Sequence, residues 1–143
     1  MELFIRRFEE LSAGELYDIL QARAAVFVVE QTCPYQDLDG MDRESTHIYY
    51  KEDGKIAAYL RVFRLDDTTA KIGRVLTVRR GQGLGLPLLA HGIEVCRKMD
   101  GVTSVYIEAQ SYAVGFYEKA GFKVVGEEFL EDGIPHKGMR LEL

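Results

Sequence analysis

The chain has 143 residues, 47% of them hydrophobic, and a formal net charge of −5, with no apolar run near the ~20 residues that span a bilayer. That is enough for one domain around a single core; the acidic balance argues against a general nucleic-acid binder, and the missing apolar run against a membrane-spanning chain. Cys33 and Cys96 lie far apart without metal or redox spacing, and Met1-Glu-Leu-Phe-Ile-Arg-Arg7 lacks the layout of a signal peptide, so a reduced, cytoplasmic protein is expected. No repeat or proline-rich linker divides the chain, so residues 1–143 are read as a single domain.

Residues 3–8 alternate in part and predict a short first strand. Leu11-Ser-Ala-Gly-Glu-Leu16 is a capping box, with Ser12 as N-cap, Glu15 at N3, and Leu11 and Leu16 placed for a hydrophobic staple. The helix that follows carries Leu16, Ile19, Leu20, Val26 and Phe27 at helical spacing. Arg23 falls on that apolar face, where a charge needs a partner, and Glu30 is one candidate. A snorkelling or structurally paired arginine and a role at a substrate site are the alternatives. Asp37, Asp39 and Asp42 crowd the loop over 31–45. Counted from Asp37, Gly40 falls at position 4 and Ile48 at position 12, which does not satisfy a calcium loop. Loop-capping carboxylates and an acidic rim that attracts an amine both remain open.

Strands over 46–52 and 55–65 flank Asp53-Gly54, a strong hairpin signal, and Asp66-Asp-Thr-Thr69 turns into a strand over 70–78. A helix over 84–99 places Leu86, Leu89, Ile93 and Cys96 on one side and His91, Glu94 and Lys98 on another, so His91 reads as solvent-facing. Pro87 is tolerated in the first turn. A strand over 102–109, a helix over 111–120 closed by Gly121, and strands over 122–129 and 137–143 complete the chain. The order β-α-β-β-β-α-β-α-β-β indicates an α+β fold, a mixed sheet flanked by helices.

The strand-to-helix junction over 75–89 is rich in glycine. Such a junction offers unpaired N–H groups and a positive helix end to an anion such as pyrophosphate. A Walker A sequence is absent, and a dinucleotide fingerprint fails because Leu86 stands where its third glycine belongs. Arg80-Gly-Gln-Gly-Leu-Gly85 instead fits Arg/Gln-x-x-Gly-x-Gly/Ala. With Gly115-Phe-Tyr-Glu-Lys-Ala-Gly-Phe122 downstream, the chain resembles the GNAT superfamily of N-acetyltransferases. Val26-Phe-Val-Val-Glu-Gln31, Cys33-Pro-Tyr-Gln-Asp-Leu-Asp-Gly40 and Glu127-Glu-Phe-Leu-Glu-Asp-Gly-Ile-Pro-His136 are similar to its ElaA-type branch. The link from Gly73-Arg-Val75 to Arg80 is shorter than in such relatives, which shifts the expected register of the strand before the turn.

The resemblance implies a GNAT-like fold with a mostly antiparallel mixed sheet, and direct transfer of an acetyl group from acetyl-CoA to a primary amine of a small molecule or peptide, without metal. The backbone of Gly81, Gln82, Gly83, Leu84, Gly85 and Leu86 would hold the pyrophosphate, with Arg80 adding charge. Main-chain groups of Leu76, Thr77 and Val78 would align the pantetheine arm and polarise the thioester carbonyl, with Tyr112 and Phe116 alongside. Tyr117 would protonate the departing thiolate, its alternative being a packing aromatic, and Tyr112 is a weaker stand-in. Glu108 is the first candidate for general base, or else the partner of a strand arginine such as Arg61 or Arg74. Glu30, His47 and His136 are candidate acceptor-binding residues, and each histidine has a structural hydrogen-bonding alternative. A zinc site from Cys33, His47 and His136 has no spacing support. Homodimerisation is common in the superfamily and is one expectation. A non-catalytic acyl-CoA-binding module and a transferase for longer acyl groups are the competing readings. The acidic loop and net charge favour a cationic amine or a peptide.

Overall fold

A computed structural model of the chain describes residues 1–78 and 81–143. Strand β1 (Glu2–Arg7) leads to helix α1 (Ala13–Arg23). The helix starts where the capping box requires: Glu15 N–H donates to Ser12 Oγ at 3.1 Å, and Ser12 N–H donates to Glu15 Oε1 at 3.0 Å. After Arg23 the backbone widens into a π-helical stretch, Ala24–Glu30. The extra residue per turn ends the simple helical spacing drawn through Val26 and Phe27. A long loop follows, and then β2 (Thr46–Glu52), β3 (Lys55–Arg64) and β4 (Thr69–Thr77) form an antiparallel meander. Asp53 and Gly54 both take positive φ, 52° and 74°, the backbone that a tight two-residue hairpin demands.

Helix α2 (Gly85–Arg97), β5 (Ser104–Gln110), a 3₁₀ turn and the short α3 (Val114–Glu118) come next. The predicted strand over 122–129 is broken into β6 (Lys123–Val124) and β7 (Phe129–Glu131), and Gly126 takes φ 85° between them. The last strand, β8 (Ile134–Glu142), starts earlier than predicted. Asp132 and Gly133, with φ 51° and 75°, repeat the Asp-Gly turn of the first hairpin.

The sheet order is β1-β2-β3-β4-β5-β8-β6, with β7 also paired to β8. One face is covered by α2, whose Leu88, Leu89, Ile93 and Cys96 pack in a cluster with Leu60, Ile72, Val105 and Ile107. Gly92 permits that approach, since a Cβ there would stand 3.2 Å from Leu60. The other face buries Ile19 and Val26 against Tyr49, Tyr59 and Leu76. Among the described residues no helix is long and apolar enough to cross a membrane.

Two irregularities open the sheet at its centre. The parallel pair β4–β5 is in register only from Thr69↔Ser104 to Lys71↔Tyr106. In β4 itself Arg61 faces Gly73 while Tyr59 faces Leu76, so Arg74 and Val75 together oppose Leu60 in a bulge, and Arg74 takes φ 53°.

Candidate active site

Where β4 and β5 part, two cavities meet. The larger, about 570 Å³, is lined by Leu76, Thr77 and the glycine turn over 81–86 on one side and by Tyr112 and Phe116 on the other. It gathers all the described residues expected to hold the coenzyme except Val78; Arg80 lies outside the described residues. The Val78 amide is engaged, donating to the Ala57 carbonyl at 2.8 Å. Antiparallel alternation then turns the Leu76 amide to β3 as well and leaves the main chain of Thr77 facing the opening. The expectation that all three residues align a pantetheine arm through their main chain is corrected to Thr77.

The turn uses glycine for two reasons. Gly81 and Gly83 take φ 83° and 68°, a region that side chains strain to enter. At Gly85 the limit is space, because a Cβ would lie 2.9 Å from the Phe116 ring. No side chain caps α2 at Leu84, so the first-turn N–H groups have no side-chain acceptor. A pyrophosphate fits this arrangement of bare donors and close backbone approach.

The second cavity, about 390 Å³, lies between the loop after α1 and the β7–β8 hairpin. Gln31, Cys33 and Tyr35 form one wall, Lys71 and Arg74 of β4 and Glu108 and Gln110 of β5 the floor, and Glu131 and His136 the far wall. Val75, Tyr112, Ala113 and Tyr117 line both cavities. The Tyr117 ring is gripped edge-on by Phe116 at 5.0 Å and Phe122 at 6.1 Å. Among the described residues its hydroxyl has no hydrogen-bond partner and is not sealed from solvent. Burial, with Tyr112 adding to it, pushes this phenol well above its ordinary value, so it stays protonated at neutral pH.

Glu108 does reach the second cavity, but its partner is neither Arg61 nor Arg74: Lys71 Nζ donates to its Oε1 at 2.5 Å. Lys71 is three residues before the bulge, on the floor both side chains share. His136 also lines the cavity, with Nδ1 2.7 Å from the Ile134 carbonyl and Nε2 3.7 Å from Glu131 Oε2.

The two other acceptor candidates are elsewhere. His47 has no exposed surface and lines neither cavity. Its Nε2 donates to the Asp42 carbonyl at 2.9 Å and its Nδ1 accepts from the Tyr59 hydroxyl at 2.6 Å. Burial holds its pKa below the ordinary value. Glu30 is exposed and outside both linings, while the next residue, Gln31, points inward and accepts from Gln110 at 3.2 Å.

The loop aspartates supply the hydrogen-bonded partners of Arg23. Arg23, fully buried, donates to Asp42 at 2.6 Å and to Asp37 at 3.0 Å. Arg61 clasps Asp39 at 2.6 and 2.9 Å and reaches Asp42 at 3.0 Å, and Arg74 reaches Asp37 at 2.9 Å. The three loop aspartates are thus each paired with arginine. Burial alone would raise the Asp42 carboxyl, yet Arg23 and Arg61 hold it below its ordinary value, and Arg61 does the same for Asp39. This corrects the acidic-rim reading: these carboxylates bind the loop to the sheet. Tyr35 joins them through its hydroxyl, 2.5 Å from Asp37.

Lys71, Gln31, Gln110, Tyr35 and Glu131 were not anticipated at the site. Gln110 was legible in principle, since it shares a strand face with Glu108. Cys33 lies in the cavity wall, its Sγ 3.5 Å from the Asp132 carbonyl, and His47 is far from forming any set with it and His136. Among the described residues no group of His, Cys, Asp or Glu is placed to hold a metal ion.

The acetyltransferase (GNAT) domain family matches residues 15–143 of the chain. Protein ElaA of Escherichia coli is 42% identical over 140 residues, covering 94% of this chain and 92% of its own. The crystal structure of Escherichia coli ElaA superposes with a TM-score of 0.92 at 39% identity over 99% of both chains. An acyl-CoA N-acyltransferase from Pseudomonas aeruginosa does so with 0.91 at 38% identity, over 98% of this chain and 99% of the other.

Proposed function

The chain belongs to the GNAT acetyltransferase family and is of the ElaA type, and from that premise we propose that it moves an acetyl group from acetyl-CoA directly to a primary amine of a small molecule or peptide. The observation that carries this reading is the junction of two cavities at Tyr117, a protonated phenol whose hydroxyl has no partner among the described residues. Acetyl-CoA, when bound, supplies an activated thioester.

The N–H groups over 81–86 hold the pyrophosphate, Arg80 contributes charge, and Phe116 fixes the turn by packing against Gly85. The main chain of Thr77 orients the arm, with Leu76 as its apolar floor and Tyr112 at the mouth. Tyr117 gives its proton to the departing sulfur. The second cavity receives the acceptor between Glu108 and His136. Its preference for a cationic acceptor moves from the loop aspartates, which are paired, to Glu131 and Asp132 of the hairpin.

Neither cysteine suits a covalent route. Burial pushes the Cys96 thiol up to about 12, and Cys33 faces a carbonyl rather than a base. Two free cysteines also agree with a reducing, cytoplasmic setting.

The test is an amine panel incubated with acetyl-CoA, read by thiol release and by a mass gain of one acetyl group, with calorimetry of coenzyme A binding in parallel. Binding with transfer to at least one amine is expected. Binding with no transfer would make the chain an acyl-CoA-binding module, and competition among acyl-CoAs of different length decides the donor.

A further inference from the structure

We infer that His136 Nε2 is the general base that takes the proton from the acceptor amine. This rests on the acyltransferase reading above and adds the one role which that reading leaves unassigned.

The geometry fixes the tautomer. Nδ1 lies 2.7 Å from the Ile134 carbonyl, and a carbonyl oxygen only accepts, so Nδ1 carries the proton in the neutral ring. Nε2 is therefore a lone pair. Among the described residues nothing hydrogen-bonds to it, and its nearest carboxylate oxygen, Glu131 Oε2, is 3.7 Å away. Nor is it sealed off: Arg61 Nε alone, among the described residues, is a buried side-chain polar atom without a partner.

The ring is also held still. It sits in β8 opposite Gln110, stacks on Phe129 at 6.0 Å and is only 8% exposed. Two other titratable candidates, Glu108 and His47, are less free. Glu108 already accepts from Lys71 at 2.5 Å, and both nitrogens of His47 are engaged. A base and an acid thus stand in one cavity, His136 on the acceptor side and Tyr117 at the junction.

The proton balance closes. As the amine nitrogen bonds to the acyl carbon, its N–H electron pair stays on nitrogen and the proton passes to Nε2. The C–S electron pair leaves with sulfur, which takes the Tyr117 proton. The imidazolium then returns its proton to the phenolate through water, and the net transfer is one proton from amine to sulfur. Glu131, at 3.7 Å, is placed to stabilise the imidazolium meanwhile.

The test separates this role from a structural one by substitution. In His136→Asn the amide nitrogen takes the place of Nδ1, keeping the donor to Ile134 but removing the base. It should melt and bind acetyl-CoA like the wild type while kcat falls at least ~10²-fold, the range of lost general-base catalysis. Glu108→Gln should lose less than tenfold. Nitrogen NMR of the neutral imidazole needs no acceptor and should show the Nδ1–H form. Wild-type turnover retained by His136→Asn, a larger loss in Glu108→Gln, or an Nε2–H ring would each overturn the base assignment while leaving the acyltransferase reading intact. Wild type that binds acetyl-CoA but acetylates no amine in the panel would overturn both.

Discussion

Behind the loop over 31–45 each aspartate is paired with arginine, whereas in the cavity between that loop and the last hairpin the Tyr117 hydroxyl and His136 Nε2 have no hydrogen-bond partner among the described residues. Arg23, Arg61, Arg74 and three aspartates form the closed set, and His47 is locked beside them by Tyr59 and Asp42. In the open set the Tyr117 hydroxyl and His136 Nε2 are, among the described residues, unpartnered and reachable. The contrast separates support from chemistry. The closed cluster ties the loop to the β4 bulge through Arg74, and so sets the walls of the cavity in which the open groups work.

The largest expected effect breaks the closed set. Arg23→Met leaves Asp42 and Asp37 each short of a buried partner and should destabilise the fold by about 3–5 kcal/mol, read by urea unfolding. A loss under about 1 kcal/mol would mean that solvent already screens the cluster.

Gly85→Ala probes the coenzyme side instead. Its Cβ would meet the Phe116 ring at 2.9 Å, so the turn and α3 must move apart. Acetyl-CoA affinity should drop about tenfold, or about 1.4 kcal/mol, and Phe116→Leu in the same chain should recover part of it.

The closed set should also show in pH. The folded His47 has a pKa below the ordinary value near 6.5, so its stabilising contribution is complete above that pH and is lost as pH falls through the lower folded value. Asp39 and Asp42, held low by arginine, contribute above about pH 4 and lose this as pH falls through their own folded values. Thermal unfolding should be flat from neutrality to about pH 9 and decline in two stages in acid, and His47→Gln should remove the first stage. Ser12→Ala should cost only about 1 kcal/mol of stability and leave turnover unchanged, because the cap is remote from both cavities.

Local signals were the legible ones. Ser12 with Glu15, Asp53-Gly54 and the glycine turn each act within a few residues, so the chain alone places them. The second Asp-Gly turn at 132–133 carried the same signal as the first, and it accounts for the early start of β8. Pairings across the fold were not legible. That Arg23 needed a partner could be read, but Asp37 and Asp42 approach it only once the loop folds back. The bulge at Arg74 decides that Thr77, not Val78, faces the opening, and no residue type there announces it. His47 and His136 look equivalent in sequence; only the strand faces that carry them separate a locked ring from a free one.

The two cavities meet at Tyr117, and in the proposed reaction its phenol proton leaves with the thiol. The most direct test is the turnover of Tyr117→Phe with acetyl-CoA and the best amine of the panel, alongside its acetyl-CoA affinity. Affinity and melting temperature like the wild type, with kcat lowered about 10²-fold, is the predicted result. Turnover equal to that of the wild type would contradict it.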